Sequence, residues 1–237
     1  MSAQNWKFWS SSVAGPLHLR NGLPNQDACI TQRFCWGEVV VVADGLGSKK
    51  NSDIGSKTVC ESVVEAAKFV RRTKNVSYAN IPQLIHALWR IKIGQYTTHD
   101  CATTCIFVIR FEKQFVLGQI GDGMLVGLGQ SPKNDFILQT NMENEFSNLT
   151  NCLGEEFHYD DWTLKIVPVD QIIALILCTD GIADDLLPER RIDFARELWG
   201  IYRSTPIRRI KTEIHNMLTN WTVPYHTDDK TIVCLYR

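Results

Sequence analysis

The sequence has 237 residues, a formal net charge of −1, and 44% apolar residues. This length fits one domain over residues 1–237, and the apolar fraction is sufficient for a sizeable core. The near-neutral charge, with no long run of lysine or arginine, argues against a nucleic-acid-binding groove or a membrane-binding face. No stretch is long enough to span a membrane as a helix and no signal peptide is evident, so we expect a cytoplasmic protein.

The spacing of apolar residues predicts strands and helices in an order that groups helices between strands. The predicted strands are 5–11, 28–34, 38–43, 103–110, 114–120, 124–128, 135–139, 172–178 and 231–236. The predicted helices are 54–72, 82–93 and a region from about 184 to 218 that is broken near Pro206. Antiparallel hairpins with grouped helices favour an α+β fold, a sandwich of sheets flanked by helices.

The eight cysteines form no C-x-x-C pair and lack a companion histidine set with zinc spacing. Several of them stand among apolar residues, which favours reduced cysteines packed in a core. Disulfides are the alternative. Zinc is a poor candidate for this chain.

Five aspartates stand at predicted strand ends or turns. They are Asp27, Asp44, Asp122, Asp180 and Asp228. Taken singly, an Asp-Gly after a strand is equally well explained as a turn, since Gly tolerates positive φ and Asp hydrogen-bonds its own backbone. Strand ends at one sheet edge can converge, however, and clustered carboxylates repel one another unless a cation holds them. Oxygen ligands of this kind suit magnesium or manganese.

The motifs around these aspartates resemble, in order and spacing, those of the metal-dependent protein phosphatases of type 2C, and of their bacterial branch in particular. The segments that carry the resemblance are Pro24–Ala28, Val42–Gly47, Gly121–Gly123, Cys178–Gly181 and Asp228–Thr231, with weaker support from Ala102–Thr104 and Cys152–Gly154. Each motif alone is weak, and their joint order over residues 18 to 236 makes the signal strong. The resemblance implies two antiparallel sheets packed face to face, with helix pairs outside.

The resemblance also implies a centre of two Mn²⁺ or Mg²⁺ ions. Asp44 would bridge the two ions and the Gly45 carbonyl would bind one of them. Asp180 and Asp228 would complete the ligands of the first ion. Asp122 would help to hold a third, weaker ion shared with Asp180.

The implied reaction is hydrolysis of phosphoserine or phosphothreonine in a protein substrate. A hydroxide that bridges the metal ions would attack phosphorus in line with the leaving oxygen, and Asp27 would orient metal-bound water without binding metal directly. The catalytic set is then Asp27, Asp44, Asp180 and Asp228. The implied partners are a phosphorylated protein and a serine/threonine kinase, and we expect a monomer.

Two departures from the family pattern bear on substrate binding. Many members carry a phosphate-gripping arginine where this chain has Gly22. Arg20 or Arg33 could substitute, and an ordinary solvated side chain is an equal explanation of Arg20. His18 stands where the bacterial branch often has histidine, and it is a second candidate for a phosphate contact; a lone loop histidine is also often structural. The short span from Asp122 to Asp180 predicts a reduced flap over residues 141–160.

Three functions remain open at this point. The first is an active phosphatase, favoured by the intact Asp44, Asp180 and Asp228. The second is a weak or inactive pseudophosphatase that binds a phosphorylated partner, favoured by Gly22. The third is a phosphoesterase acting on small molecules, which would need a small, closed pocket.

Overall fold

Two antiparallel five-stranded sheets form the centre of the protein in the computed structural model, which describes residues 6–73, 75–138 and 151–237. Sheet A has the order β1-β10-β9-β6-β7, with bounds β1 Lys7–Val13, β10 Lys230–Tyr236, β9 Ile172–Cys178, β6 Met124–Gly129 and β7 Phe136–Ile137. Sheet B has the order β2-β3-β4-β5-β8, with bounds β2 Asp27–Phe34, β3 Gly37–Asp44, β4 Cys105–Phe111, β5 Gln114–Ile120 and β8 Thr163–Pro168.

Six α-helices lie among the described residues: α1 Pro16–Asn21, α2 Ser52–Arg72, α3 Ile81–Lys92, α4 Asp180–Ala183, α5 Arg191–Tyr202 and α6 Ile207–Thr219. Short 3₁₀ turns occupy Tyr78–Asn80, Pro132–Asn134, Tyr159–Asp161, Val169–Gln171 and Pro188–Arg190. None of the helices in the described ranges combines the length and apolar character needed to cross a membrane.

The sheets pack face to face because β3 and its neighbours are apolar on both faces. Along β3, Val40 and Val42 point between the sheets, where they join Leu177 and Val233 of sheet A. The alternate residues of the same strand, such as Val41, point outward to α2 and α3. A valine-rich strand can be buried on both faces only when layers cover it on both sides.

The helices cover the outer faces of the sandwich in two groups. Helices α2 and α3 pack on sheet B, with Val63, Ile85 and Trp89 fully buried. Helices α5 and α6 pack on sheet A through Leu198 and Ile214. The result is a layered α+β sandwich whose strand ends are exposed at the edges of the sheets.

The predicted sandwich of antiparallel sheets flanked by helices is confirmed. The hairpin of β4 and β5 and the strand 172–178 lie where they were predicted. The helical region after residue 184 is divided into α5 and α6, with Pro206 at the N-terminal cap of α6. Helix α1 and strand β8 were not predicted, and residues 141–150 of the expected flap lie outside the described residues.

Candidate active site

The candidate site lies where strands of both sheets end beside one another. Asp44 is the last residue of β3 in sheet B, and Asp180 begins α4 immediately after β9 of sheet A. Asp228 lies just before β10. The Thr179 amide, which follows β9, donates to the carbonyl of Thr231 in β10 at 3.1 Å. Aspartates that are distant in the sequence therefore meet at one edge of the sandwich.

Asp27 joins the two sheets at this edge. It opposes Asp44 in the register of β2 and β3, so that two acidic residues are direct neighbours in sheet B. The Thr179 hydroxyl of sheet A donates to Oδ2 of Asp27 at 2.8 Å, and the same Oγ1 accepts from the Thr231 amide at 3.1 Å. Asp27 is only 5% exposed, so this link between the sheets is shielded from water.

The Gly45 backbone is held in a fixed position after β3. Its amide donates to the Gln26 carbonyl at 3.1 Å, and Gly45 forms a bridge with Thr103. A Cβ at this position would lie 2.3 Å from the Ser52 carbonyl oxygen, so no other residue fits without movement of the backbone. Thr103 in turn bridges Leu153, which brings the described end of the flap region to the same edge.

Asp180 is fixed by the first turn of α4. The Gly181 amide donates to Oδ1 of Asp180 at 2.6 Å, and the Asp180 carbonyl accepts from the Asp184 amide at 2.8 Å. Gly181 packs directly on the residue that precedes β10, because a Cβ there would lie 2.0 Å from the Asp229 carbonyl oxygen.

Asp122 occupies the tight turn between β5 and β6. Gly121 has φ +104°, a conformation that L side chains rarely adopt, and Gln119 ties the turn together by donating to the carbonyls of Gly121 and Gly123 at 3.2 and 2.7 Å. The Asp122 side chain is exposed. It lies near enough to raise the pKa of Asp44, Asp180 and Asp184.

The electrostatics of the edge are those of crowded carboxylates. Burial, and to a smaller extent the charge of Asp229, raises the pKa of Asp27 to about 7. Burial followed by the charges of Asp27 and Asp180 raises the pKa of Asp44 well above its usual value. Burial raises the pKa of Asp180 to about 6, with further contributions from Asp122 and Asp228. Burial and neighbouring negative charges thus disfavour ionisation at this edge, although the contact with Asp44 favours the charged form of Asp27.

This set of side chains fits a hard divalent cation in its chemistry. The donors are carboxylate and carbonyl oxygens, and among the described residues Oδ1 of the buried Asp27 has no partner within hydrogen-bonding geometry. A bound cation would relieve the repulsion that raises these pKa values. In the described part of the chain, however, no three His, Cys, Asp or Glu side chains are already arranged to hold a metal ion.

The phosphate-binding candidates lie on and around α1. His18 places Nδ1 2.9 Å from both carboxylate oxygens of Asp229. Arg20 is exposed, and its Nε donates to the Pro16 carbonyl at 3.2 Å. Gly22 ends α1 in the left-handed conformation at φ 63°. Arg33 lies at the opposite end of β2 from Asp27 and pairs with Glu38 at 3.4 Å.

Two residues beside the site were not singled out from the sequence. Asp229 is 4% exposed and Lys230 1% exposed. The Lys230 ammonium contacts His226 Nδ1 at 3.1 Å and the Asp228 carbonyl at 3.2 Å. It also pairs with Asp185 at 3.8 Å. Asp229 and Lys230 follow Asp228 directly, and this position was the one sign in the sequence that they could lie at the site. The burial of two consecutive charged residues cannot be predicted from the sequence pattern.

Cys178 precedes the site on β9 and does not take part in it. Its side chain belongs to the apolar layer between sheet A and the helices, and burial raises the pKa of its thiol. All eight cysteines are free, in agreement with the prediction of reduced cysteines. The low acidity of this thiol argues against a nucleophilic role.

Comparison with known proteins agrees with this fold. The family model described as protein phosphatase 2C matches residues 14–219, a range that includes every candidate aspartate except Asp228. A search of curated proteins gave no match.

Solved structures share the architecture at low sequence identity. A bacterial serine phosphatase aligns with a TM-score of 0.66 and 17% identity over 98% of both chains. The serine/threonine phosphatase Stp1 from Staphylococcus aureus aligns with a TM-score of 0.67 and 15% identity, over 99% of this chain and 96% of that one. The catalytic domain of the serine/threonine protein phosphatase PstP, solved with two manganese ions, aligns with a TM-score of 0.63 and 14% identity, over 98% of this chain and 97% of that one. Because the family model covers most of the sequence, the chain belongs to the protein phosphatase 2C family.

Proposed function

We propose that this protein is an active, metal-dependent serine/threonine phosphatase. The observation that carries the proposal is the meeting of aspartates from both sheets at one edge, where burial and neighbouring charges raise their pKa values. A protein that only bound a partner would have no need for several carboxylates in such an unfavourable arrangement. The solved PstP domain with two manganese ions has the same fold, which supports the choice of metal.

The residues that would hold two Mn²⁺ or Mg²⁺ ions are Asp44, the Gly45 carbonyl, Asp180 and Asp228, with Asp122 contributing to a third, weaker site. Bound ions would supply an activated water and neutralise charge on the phosphoryl oxygens. Asp44 is suited to a shared ligand because it is the last residue of β3 and faces charges from both sheets.

Asp27 has a different part in the proposal. Its Oδ2 accepts a hydrogen bond from the Thr179 hydroxyl, while Oδ1 is buried and has no partner within hydrogen-bonding geometry in the described part of the chain. An oxygen in that position is suited to accept a proton or a hydrogen bond from a water at the edge. Asp27 would therefore orient the attacking water and hold the two sheets in register around it.

The substrate phosphate would be met by residues of α1. Since Nδ1 of His18 faces Asp229, only its Nε2 remains for a substrate contact. The Arg20 Nε donates to the Pro16 carbonyl, and the terminal guanidinium nitrogens would be the ones that contact a phosphate. Both contacts are part of the proposal, as are a phosphoprotein substrate, a kinase partner, a monomeric state and a cytoplasmic location.

A pseudophosphatase that binds a phosphorylated partner is the second candidate. Two observations favour it: the absence of the family arginine at Gly22, and the lack of a preassembled metal-binding group among the described residues. Under this hypothesis the acidic edge, formed by Asp27, Asp44, Asp122, Asp180 and Asp228, would have no catalytic role, and residues of α1 would bind the phosphate.

The test is phosphate release from a phosphothreonine peptide and from p-nitrophenyl phosphate by metal-stripped protein, with and without Mn²⁺. Asp180→Asn is the test variant, and Asp193→Asn is the matched control because Asp193 pairs with Arg190 on the exposed side of α5. We expect Mn²⁺-dependent release from both substrates by the wild type and by Asp193→Asn, and none by Asp180→Asn.

The competing hypotheses give different results in the same assay. A folded wild-type protein that releases no phosphate with Mn²⁺ but binds the phosphopeptide would be a pseudophosphatase. Release from p-nitrophenyl phosphate and other small esters, but from no phosphopeptide, would indicate a small-molecule phosphoesterase. Full activity of Asp180→Asn would contradict the metal assignment.

A further inference from the structure

The Asp229 carboxylate gathers three groups from the segment before β2. Oδ1 accepts the Gly15 amide at 2.6 Å, and Oδ2 accepts the Gln26 amide at 2.6 Å. Nδ1 of His18 lies 2.9 Å from each oxygen. A buried carboxylate needs such donors to offset its loss of water, and these three, from the described part of the chain, belong to one segment, residues 15–26.

The groups that Asp229 holds adjoin the candidate catalytic residues. Gln26 precedes Asp27, and Asp229 itself follows Asp228. The Asp229 side chain thus links the backbone just before β2 of sheet B to the residues just before β10 of sheet A. A change at Asp229 would alter the separation between Asp27 and Asp228 without removing either.

The backbone around the contact between Gly15 and Asp229 is closely packed. A Cβ on Gly15 would lie 2.3 Å from the Asp228 carbonyl carbon, and the Leu17 amide donates to the Thr227 carbonyl at 3.2 Å. The start of α1 therefore rests directly on the residues that lead into β10. Because Gly15 has no side chain, its amide can reach the buried carboxylate.

The conformation of Gly22 belongs to the same arrangement. Its left-handed backbone ends α1, and the following Leu23 amide returns to the His18 carbonyl at 2.9 Å. An L side chain is strained at φ 63°. A glycine here stops the helix that presents His18 to Asp229, and this gives a physical reason for the missing arginine.

We propose that His18 and Asp229 form a clasp that positions the metal-binding edge, with Asp229 as a positioning residue that acts through the segment 15–26 and through Asp228. The inference rests on the proposed function, since the edge must bind metal for its spacing to matter. Partners that orient the ligands of a metal typically change its affinity by about 10- to 100-fold when they are removed. The clasp assigns His18 a task distinct from a phosphate contact.

The experiment measures Mn²⁺ affinity by isothermal titration calorimetry, together with the free energy of unfolding in EDTA. The variants are Asp229→Ala, Asp229→Asn and His18→Ala, each titrated at a temperature where it is folded. The control is Glu38→Gln, which removes a 3% exposed carboxylate paired with Arg110 and Arg33 at the far end of β3. This control loses a buried ion pair of the same sheet but does not touch the edge.

We expect Asp229→Ala to lower Mn²⁺ affinity by about tenfold or more. Asp229→Asn keeps one acceptor oxygen and His18→Ala keeps both amide bonds, so each should give a smaller loss. Glu38→Gln should lower the free energy of unfolding and leave Mn²⁺ affinity unchanged.

Two results would overturn the clasp. One is an Asp229→Ala protein that binds Mn²⁺ as tightly as the wild type. The other is an equal loss of affinity in Glu38→Gln, which would reduce the effect to general destabilisation. A wild type that binds no Mn²⁺ would overturn the proposed function, and the clasp with it, whereas wild-type binding with unaffected variants would overturn the clasp alone.

Discussion

Neighbouring carboxylates at the acidic edge destabilise the folded protein when no cation is present. Asp27 and Asp44 are register partners, and burial is the largest cause of the raised pKa of each. The charge of Asp229 adds to the effect at Asp27, and the charges of Asp27 and Asp180 add to it at Asp44. A folded-state pKa that is raised for an acid means that ionisation costs stability. Under the proposed function, a bound cation would offset this cost.

Neutralising Asp180 should separate stability from activity. Burial, Asp122 and Asp228 raise its pKa, so Asp180→Asn removes an unfavourable charge. We expect the free energy of unfolding of the metal-free variant to rise by about 1 kcal/mol, while Mn²⁺-dependent phosphate release is lost. Urea unfolding in EDTA measures the first effect. A less stable variant would show that the Gly181 amide bond outweighs the repulsion.

His86 predicts a pH dependence of stability away from the acidic edge. Burial lowers the pKa of this α3 side chain, and Nε2 lies 3.0 Å from the Gly154 carbonyl oxygen. Because its folded pKa is depressed, the unfolded chain binds the proton more readily, and stability falls as the pH drops below the unfolded value of about 6.5.

The measurement for His86 is urea unfolding of the wild type and His86→Gln between pH 5 and 8 (roughly the range in which histidine titrates). Glutamine keeps a donor for the Gly154 carbonyl and does not titrate. We expect the wild type to lose more stability than the variant below about pH 6.5. Parallel curves for the two proteins would contradict a neutral, buried His86.

At the scale of residues, the sequence was sufficient to nominate the aspartates but not their surroundings. Asp44 and Asp180 could be found because each ends a long apolar run with Asp-Gly. Asp229 could not be separated from Asp228, because only the folded chain distinguishes the buried carboxylate from the exposed one. His18 was nominated for phosphate, and its contact with Asp229 depends on residues 211 positions apart in the sequence.

At the scale of elements, helix α4 matters because it is short and sits directly on β10. Gly181 has no room for a side chain beneath it, since a Cβ would meet the Asp229 carbonyl oxygen at 2.0 Å. We expect Gly181→Ala to lower the free energy of unfolding by about 2 kcal/mol and to weaken Mn²⁺ binding, because α4 must shift and carries Asp180 with it.

The control for Gly181 is Gly200→Ala on α5, where nothing lies within 4 Å of the added Cβ. Alanine has the higher helix propensity, so this variant should gain about 0.5–1 kcal/mol and leave Mn²⁺ binding unchanged. Unfolding and calorimetry of the two variants give the comparison. Equal behaviour of the two would contradict the close packing of α4 on β10.

The long elements were predictable, whereas helix α1 and strand β8 were missed. Strand β3 and helix α2 have unbroken patterns over their whole length, and both were found within a few residues of their ends. Helix α1 has six residues, none of them buried, so no apolar periodicity marks it. Strand β8 pairs along one side only, and its largely exposed sequence TLKIVP carries little signal.

At the scale of the whole molecule, the layers predict one cooperative unit. Leu177 lies between the sheets, and Ile85 lies between α3 and sheet B; both are fully buried. We expect Leu177→Ala and Ile85→Ala each to cost about 3 kcal/mol and to move a single unfolding transition. Calorimetry that resolved two transitions, each sensitive to one variant, would contradict a single domain over residues 1–237.

The overall architecture could be predicted because several weak motifs occur in a consistent order. The arrangement of the carboxylates within the site could not be predicted. Motif order indicates which strand ends meet, but it does not give the distances between carboxylates. The described residues bring the aspartates into electrostatic range without arranging three of them as ready ligands. The proposed function therefore depends on cation binding where the ends of the two sheets meet.

Calorimetric titration of metal-stripped protein with Mn²⁺ tests this dependence most directly, with Asp44→Asn beside the wild type and Asp193→Asn as the control. Asp44 is the ligand expected to be shared between ions, and Asp193 lies exposed at the start of α5. We expect saturable Mn²⁺ binding by the wild type and by Asp193→Asn, and its loss in Asp44→Asn. Absence of binding in folded wild-type protein, or equal binding by all three, would contradict a metal centre at the meeting edge of the sheets.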